Sequence, residues 1–498
     1  MNASDNVAAG LHRWATSTPG QLALIEQERT VTYAELDRAV WRACAGLRQA
    51  GLQAGAVVAM FGDGGSLLQL TLSLALARMG AIQVALSLAE RPERLRMIAQ
   101  TAGIAAVVSS VPGIEKFGPP VIRPDPAWLD PAAPAEIGDP GPGGNAIWLI
   151  NHSSGTTGRP KAMAISHAME AARMALQPPE FACRPGERFM SMTSFEFWIG
   201  RSRAIRCLSE GATVVAAPQT TDTAEIIAAI ARHDVTHLTC TPVHLHQILE
   251  HLPQDGLRFP RLRMVRVSSA ALPERVLTGI RARMSPHVYT NYGANEAGNF
   301  SVATPDMLAQ HPDTVGKPAP GVDFELVDER GRRVGVGETG HVRVRSPGMI
   351  QGYVADREAT AAAFRDGWFY PGDLATIDAD GLVFLKGRSD DMLNVEGMLV
   401  SPEEIEKVLR EHPAVSDAAA FRLPSERHQD VPAAAVVIRD GTSPEDIRSY
   451  CVRRLGMRSP AVVLQLPQLP RNRIGKVLRK ELTRLTMEAL EQRDGKSA

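Results

Sequence analysis

A chain of 498 residues with 44 % hydrophobic residues can bury large cores, and its length suggests roughly three domain-sized units. A formal net charge of −1 excludes a broad electrostatic field for nucleic acid or anionic lipid, and no apolar run is long enough to span a bilayer. Five scattered cysteines, odd in number and without metal-ligand spacing (Cys44, Cys183, Cys207, Cys240, Cys451), point to a reducing cytoplasm rather than a disulfide framework. The N-terminus lacks the basic and apolar regions of a signal peptide, and Gly495-Lys496-Ser497-Ala498 is not a peroxisomal address.

In chain order, residues 33–47 predict a helix and 57–61 a buried strand. Residues 67–79 have helical spacing, 81–86 the look of a strand, 91–102 of a helix and 104–108 of a further strand. Strands alternating with helices predict βαβ units, a mostly parallel sheet and helices on both faces. Residues 111–145, rich in Pro, Gly and Ala, predict a surface excursion. After a strand at 146–150 the alternation resumes with strands at 213–217, 237–240 and 264–267 and a helix at 224–232. From about residue 315, short alternating segments such as 324–327 and 341–345, set between Gly and Asp turns, predict antiparallel structure. A small α+β stretch with helices at 402–411 and 444–454 follows, so a domain boundary is expected near Asp390. The fold class is α/β, with domains at 1–389 and 390–498.

Five stretches carry candidate chemistry. Ser153-Ser154-Gly155-Thr156-Thr157-Gly158-Arg159-Pro160-Lys161 puts glycines, hydroxyls and cations together behind the apolar run 146–150. That set suits a loop wrapping nucleotide phosphates, although an ordinary surface turn has similar composition. It is not a Walker loop, because Gly-Lys-Ser/Thr is missing. Asn291-Tyr292-Gly293-Ala294-Asn295-Glu296 places an aromatic and a carboxylate on one glycine-bearing turn, a pairing that suits adenine and Mg²⁺. Tyr370-Pro371-Gly372-Asp373 presents a carboxylate able to accept both ribose hydroxyls. Gly387-Arg388-Ser389-Asp390-Asp391 to Gly397 joins a cation to a flexible acidic pair, which also reads as a helix N-cap. Arg471-Asn472-Arg473-Ile474-Gly475-Lys476 is a basic turn before a helix, or a solvated face. The histidines 233, 237, 244, 246 and 251 lack a third ligand at zinc spacing.

In order and spacing, these stretches resemble the acyl-adenylate-forming superfamily of acyl-CoA synthetases, peptide-synthetase adenylation domains and luciferases. The resemblance covers nearly the whole chain. It implies a large N-terminal domain of mostly parallel αβα sheets with a small β-barrel-like subdomain, and a small mobile α+β C-terminal domain. It implies that Ser153, Ser154, Gly155, Thr156, Thr157, Gly158 and Lys161 hold the β,γ-phosphates, that Ser269 and Ala270 lie against adenine with Asn291, Tyr292 and Gly293, and that Glu296 positions Mg²⁺. Asp373 and Arg388 match the ribose residues, Asp390 the hinge, Gly397 the thiol side and Lys476 the catalytic lysine. Asn295 and Pro371 each replace a usual threonine, and Leu399 stands where many relatives carry a basic residue.

The acid is expected at residues 192–200 with Ala294. Glu196 falls where many acyl- and aryl-CoA ligases carry histidine. Trp198 falls where amino-acid-activating domains carry the aspartate that pairs with the α-amino group, and Phe197 and Gly200 flank it. A tryptophan cannot neutralise an ammonium, which argues against an α-amino acid. Glu196 instead fits an amine-bearing substrate, or pairs with Arg201 or Arg203. The resemblance implies ATP-dependent formation of an acyl adenylate from a small carboxylic acid, then transfer to a thiol such as coenzyme A. The phosphopantetheine of a carrier protein, an amine acceptor and a catalytically silent nucleotide-binding regulator are the alternatives.

Overall fold

A computed structural model of the chain describes residues 5–61, 66–88, 90, 92–138, 141–152, 160–195, 197–220, 222–395, 398–423, 431–439, 441–472 and 475–494. They pack as two compact units: Met1–Phe324 with Val344–Phe369, and Glu325–Arg343 with Tyr370–Ala498. The division expected at Asp390 falls inside the second of these. No helix among the described residues is long and apolar enough to cross a membrane.

Unit one contains two sheets. The larger runs in the order Lys317–Pro318, Gly298–Ala303, Val288–Ala294, Met264–Val267, His237–Cys240, Arg188–Ser191, Thr213–Val215, Leu22–Glu26, Arg29–Thr32. Its middle is parallel and its two margins are antiparallel hairpins. The central strands are buried along their whole length, as strands covered on both faces are, although His237, Thr239 and Arg266 stand among their apolar residues. Register matters here. Cys240 pairs with Val267 and Val267 with Thr290, so the segments after Cys240, after Val267 and from Asn291 on emerge together at the carboxyl edge. That edge is where open α/β sheets bind ligands.

The second sheet runs Val121–Ile122, Ala106–Val108, Val57–Phe61, Ile82–Leu86, Ile147–His152, Ala162–Ser166. It is parallel except for its last pair, in which Ile147 faces Ser166 and His152 faces Ala162. Ile147–His152 and Ala162–Ser166 are therefore antiparallel neighbours at the sheet margin. The expected surface excursion gives one strand to this sheet, because Val107 and Val108 pair with Val121 and Ile122 and so cover an edge. Among the helices, Tyr33–Gln49 begins with a capping box between Thr32 and Glu35, worth about 1 kcal/mol. Leu67–Met79 is buried almost all round, so its apolar residues fill the core rather than mark one face.

In unit two, Gly340 and His341 run antiparallel to Ala375 and Leu374, and Asp373–Ile377 runs antiparallel to Val383–Arg388. Beyond these, Val415–Leu423 and Val431–Ile438 pair antiparallel, and Val462–Gln465 adds parallel to the second. The period-two alternation of Val415–Leu423 divides its burial. Ala418 and Ala420 join a core with Ile405, Leu409 and Ile447, while Ala419 and Phe421 join one with Leu469 and Leu482. Helices Pro402–Arg410, Pro444–Leu455 and Arg479–Asp494 supply the other halves of those cores.

Candidate active site

Of the expected site residues, Ser153, Ser154, Gly155, Thr156, Thr157, Gly158, Glu196 and Gly397 lie outside the described residues. The rest fall into one group in each unit.

In unit one, Val288–Ala294 runs to the carboxyl edge, turns at Asn295–Ala297 and returns as Gly298–Ala303. The turn needs glycine at 293, since a Cβ there would stand 2.3 Å from the Gly298 carbonyl oxygen. Tyr292 is packed edge-on against Phe300 and Phe324. Asn291 faces inward: its Oδ1 accepts from Arg266 Nε at 3.0 Å and its Nδ2 donates to Asn299 Oδ1 at 3.0 Å. Glu296 is tied at both ends. Its carboxylate accepts from the Tyr353 hydroxyl at 2.9 Å, and its carbonyl accepts from the Ile350 amide at 2.9 Å. Lys161 Nζ sits 4.9 Å over the Tyr353 ring, so Lys161, Tyr353 and Glu296 form one contiguous row. Ser269 follows the strand Met264–Val267 with φ of 77°. This left-handed conformation costs an L-residue about 1 kcal/mol, and it exposes Ser269 and Ala270 at the carboxyl edge.

The expected acid-binding stretch opens the helix Trp198–Ser209, with Phe197 as its N-cap. Gly200 permits a close approach: a Cβ would lie 2.5 Å from the Thr193 carbonyl oxygen. Trp198 is only 7 % exposed, and its indole N–H donates to Glu170 Oε2 at 2.8 Å. Arg201 binds Asn151 Oδ1 and the Phe195 carbonyl, and Arg203 the Phe181 carbonyl. Among the described residues, Glu170 favours the charge on Arg201.

In unit two, Asp373 and Arg388 are direct cross-strand partners, and their charged groups meet at 3.4 Å. Gly372 has φ of 81°, and its carbonyl accepts from both the amide and the hydroxyl of Ser389. Asp390, in the single turn Ser389–Asp391, is exposed. Lys476 sits on a turn closed by Asn472, whose Oδ1 accepts from the Lys476 amide and whose amide donates to the Lys476 carbonyl. Arg471 Nη2 binds the Asp417 carboxylate at 2.7 Å, and its Nη1 binds the Gly475 carbonyl. Burial and the guanidinium of Arg388 hold the Lys476 ammonium below the ordinary lysine value, with Asp391 and Asp373 partly offsetting them. An ammonium so placed is stabilised by an arriving anion.

Glu170, Arg173, Tyr353, Arg266 and Arg471 were given no role from the sequence. A signal existed for two of them: Glu170 and Arg173 stand three apart in a helix otherwise small and apolar, His167–Ala175, and so share a face. Among the described residues no group of three His, Cys, Asp or Glu side chains gathers to hold a metal. Mg²⁺, however, asks only for one or two carboxylates plus phosphate oxygens and water. Glu296 fits that demand, since its carboxylate has lone pairs beyond the one engaged by Tyr353.

The family profile described as AMP-binding enzyme matches residues 11–354, and that of the AMP-binding enzyme C-terminal domain matches 404–476. The 3-hydroxybenzoate–CoA/4-hydroxybenzoate–CoA ligase of Thauera aromatica is 30 % identical over 507 residues, covering 96 % of each chain. ATP-bound MatB from Rhodopseudomonas palustris superposes with a TM-score of 0.87 at 26 % identity, over 98 % of this chain and 99 % of that one. The amide bond synthetase McbA from Marinactinospora thermotolerans gives 0.84 at 28 %, over 96 % and 99 %.

Proposed function

The chain belongs to the AMP-binding enzyme family, and we propose how its residues divide the work. The reaction is activation of a carboxylic acid by ATP to an acyl adenylate, with release of pyrophosphate and then transfer of the acyl group to coenzyme A. In the first step a carboxylate oxygen bonds to the α-phosphorus as the bond to pyrophosphate breaks. In the second a thiol sulfur bonds to the acyl carbon, AMP leaves with the anhydride oxygen, and the thiol proton passes to solvent.

Lys476 is our candidate for the group between the carboxylate and the α-phosphate. The observation that carries this is its company: Asp373 and Arg388, assigned to ribose, contribute to the electrostatics of the same ammonium. A cation aimed at developing negative charge acts most strongly where water is excluded. Glu296, steadied by Tyr353, would hold Mg²⁺, which when bound neutralises phosphate charge. The loop 153–159, with Lys161 at its end, would hold the leaving pyrophosphate. Residues 390–498 would turn about Asp390 between the two steps. Five free, buried cysteines support a cytoplasmic setting.

For the acid we propose a small carboxylic acid carrying a polar substituent, an aryl acid among the candidates. The hydroxybenzoate ligase relative favours this, as does the polar chain Arg266–Asn291–Asn299 on the strand that ends at Ala294 and its two neighbours. ATP–pyrophosphate exchange across a panel of substituted benzoates, aliphatic acids and amino acids tests it; a preference for α-amino acids would overturn it. An amine acceptor is the second reading, favoured by the likeness to an amide bond synthetase and by Leu399 in place of a basic residue. AMP release with coenzyme A, a carrier protein or amines as acceptor separates the readings.

A further inference from the structure

The helix His167–Ala175 carries a carboxylate and a guanidinium that water scarcely reaches: Glu170 is 0 % exposed and Arg173 2 %. Arg173 binds backbone, not solvent. Its Nε donates to the Gly348 carbonyl at 2.8 Å, and one Nη2 donates to the carbonyls of Asn295 at 2.9 Å and Glu296 at 3.3 Å. The Glu296 carbonyl also takes the Ile350 amide, and the Ala297 carbonyl takes the Ser346 hydroxyl. One arginine therefore ties the turn that presents Glu296 to the segment leading to Tyr353, the partner of the Glu296 carboxylate.

Two glycines clear its path. A Cβ at Gly348 would lie 2.4 Å from Arg173 Cγ, and one at Gly298 3.2 Å. Glu170 faces the guanidinium electrostatically and is itself held by Trp198 Nε1 and Ser202 Oγ, while Arg173 lies 5.4 Å over the Trp198 ring. Stability alone does not explain the arrangement. Among the described residues Arg173 Nη1 is buried without a hydrogen-bond partner, and apolar residues often replace buried charges at no loss of stability. What an apolar residue cannot do is bind three carbonyls from two segments at once.

We propose that Arg173 is a positioning residue that sets the place of Glu296 for adenylation, and that Glu170, on the same helix and anchored by Trp198 and Ser202, supports it. The proposal rests on the assignment of Glu296 to Mg·ATP. Burial works against the charge on Arg173, and Glu170 and Glu296 both favour it.

The test is a Mg²⁺ titration of ATP–pyrophosphate exchange and, without turnover, of ATP binding by calorimetry on the full chain, with Arg173→Met, Arg173→Lys and Glu170→Gln, each alone and combined with Glu296→Gln. Partners behind a metal ligand change metal affinity by about 10–100-fold. We expect Arg173→Met to raise the half-saturating Mg²⁺ by that factor, with the acid KM and thioester formation from supplied acyl-AMP nearly unchanged. Arg173→Lys should recover part of the shift and Glu170→Gln should produce a smaller one; both remain readable if Arg173→Met does not fold. In the Glu296→Gln background none should add a further shift. Unchanged Mg²⁺ dependence in the folded Arg173 variants, or an effect that adds fully to Glu296→Gln, overturns the positioning role. If Glu296→Gln itself leaves the Mg²⁺ dependence unmoved, the Glu296 assignment is what fails.

Discussion

Two turns carry the chain's candidate reacting groups, and each is held by an arginine bound to a backbone carbonyl and facing a carboxylate. At the Glu296 turn the pair is Arg173 with Glu170, sealed from water. At the Lys476 turn it is Arg471 with Asp417, whose side chains are 25 % and 33 % exposed. A buried charge-assisted hydrogen bond is strong because nothing screens it, and costly to break for the same reason. A half-exposed one is exchanged with water at little loss. The first turn is therefore sealed in one geometry, while the second rests on a pair that water shares.

The largest expected effect tests the exposed side. Lys476→Ala should lower ATP–pyrophosphate exchange by about 10²–10³-fold, the usual loss when a charge-stabilising donor is removed, while sparing thioester formation from supplied acyl-AMP. Equal loss of both steps would end the idea of a lysine used once and withdrawn. Asp373→Ala removes a charged acceptor from the proposed ribose site and should raise the KM for ATP about 10–100-fold, from about 1.5–3 kcal/mol per hydrogen bond to a charged group. Steady-state kinetics at saturating acid reads it.

Smaller effects sharpen the contrast itself. Tyr353→Phe removes one donor from the half-buried Glu296 carboxylate and should raise the Mg²⁺ requirement several-fold or more. Arg471→Ala breaks the half-exposed pair and should cost less than about 1 kcal/mol in thermal unfolding. A larger loss for Arg471→Ala than for Arg173→Lys would reverse the comparison. The last prediction concerns pH. Burial and Arg388 lower the Lys476 pKa from the ordinary 10.5, so the proton leaves at a lower pH than from a free lysine. Exchange activity should therefore fall on the alkaline side below pH 10.5, and Lys476→Arg should move that limb upward. An alkaline limb unmoved in Lys476→Arg would assign it to another group.

Much was legible in the chain itself. The helix at 67–79 and the strand at 57–61 follow from apolar runs of fitting length, because burial on both faces demands such runs, and the strands at 237–240 and 264–267 follow from the alternation with helices around them. The stretches around Glu296, Asp373, Arg388 and Lys476 stood out as glycine-bearing turns that carry charge, and only the family resemblance implied a role for each. Other features were hidden. Nothing in the order of letters says that Trp198, read as an acid-pocket residue, donates to Glu170, or that Asn291 turns inward to Arg266.

The sequence by itself determined the α/β class, the order of the reactive stretches and the residue types at their tips, since propensity, periodicity and turn chemistry act over a few residues. Only the tertiary structure decided which side chains hold those tips. Arg173 finds Gly348 and Glu296, Arg471 finds Asp417, and Tyr353 finds Glu296 across 57 positions. A partner at that separation is chosen by sheet register, by burial and by the missing Cβ of a glycine, and each of these exists only once the chain has folded.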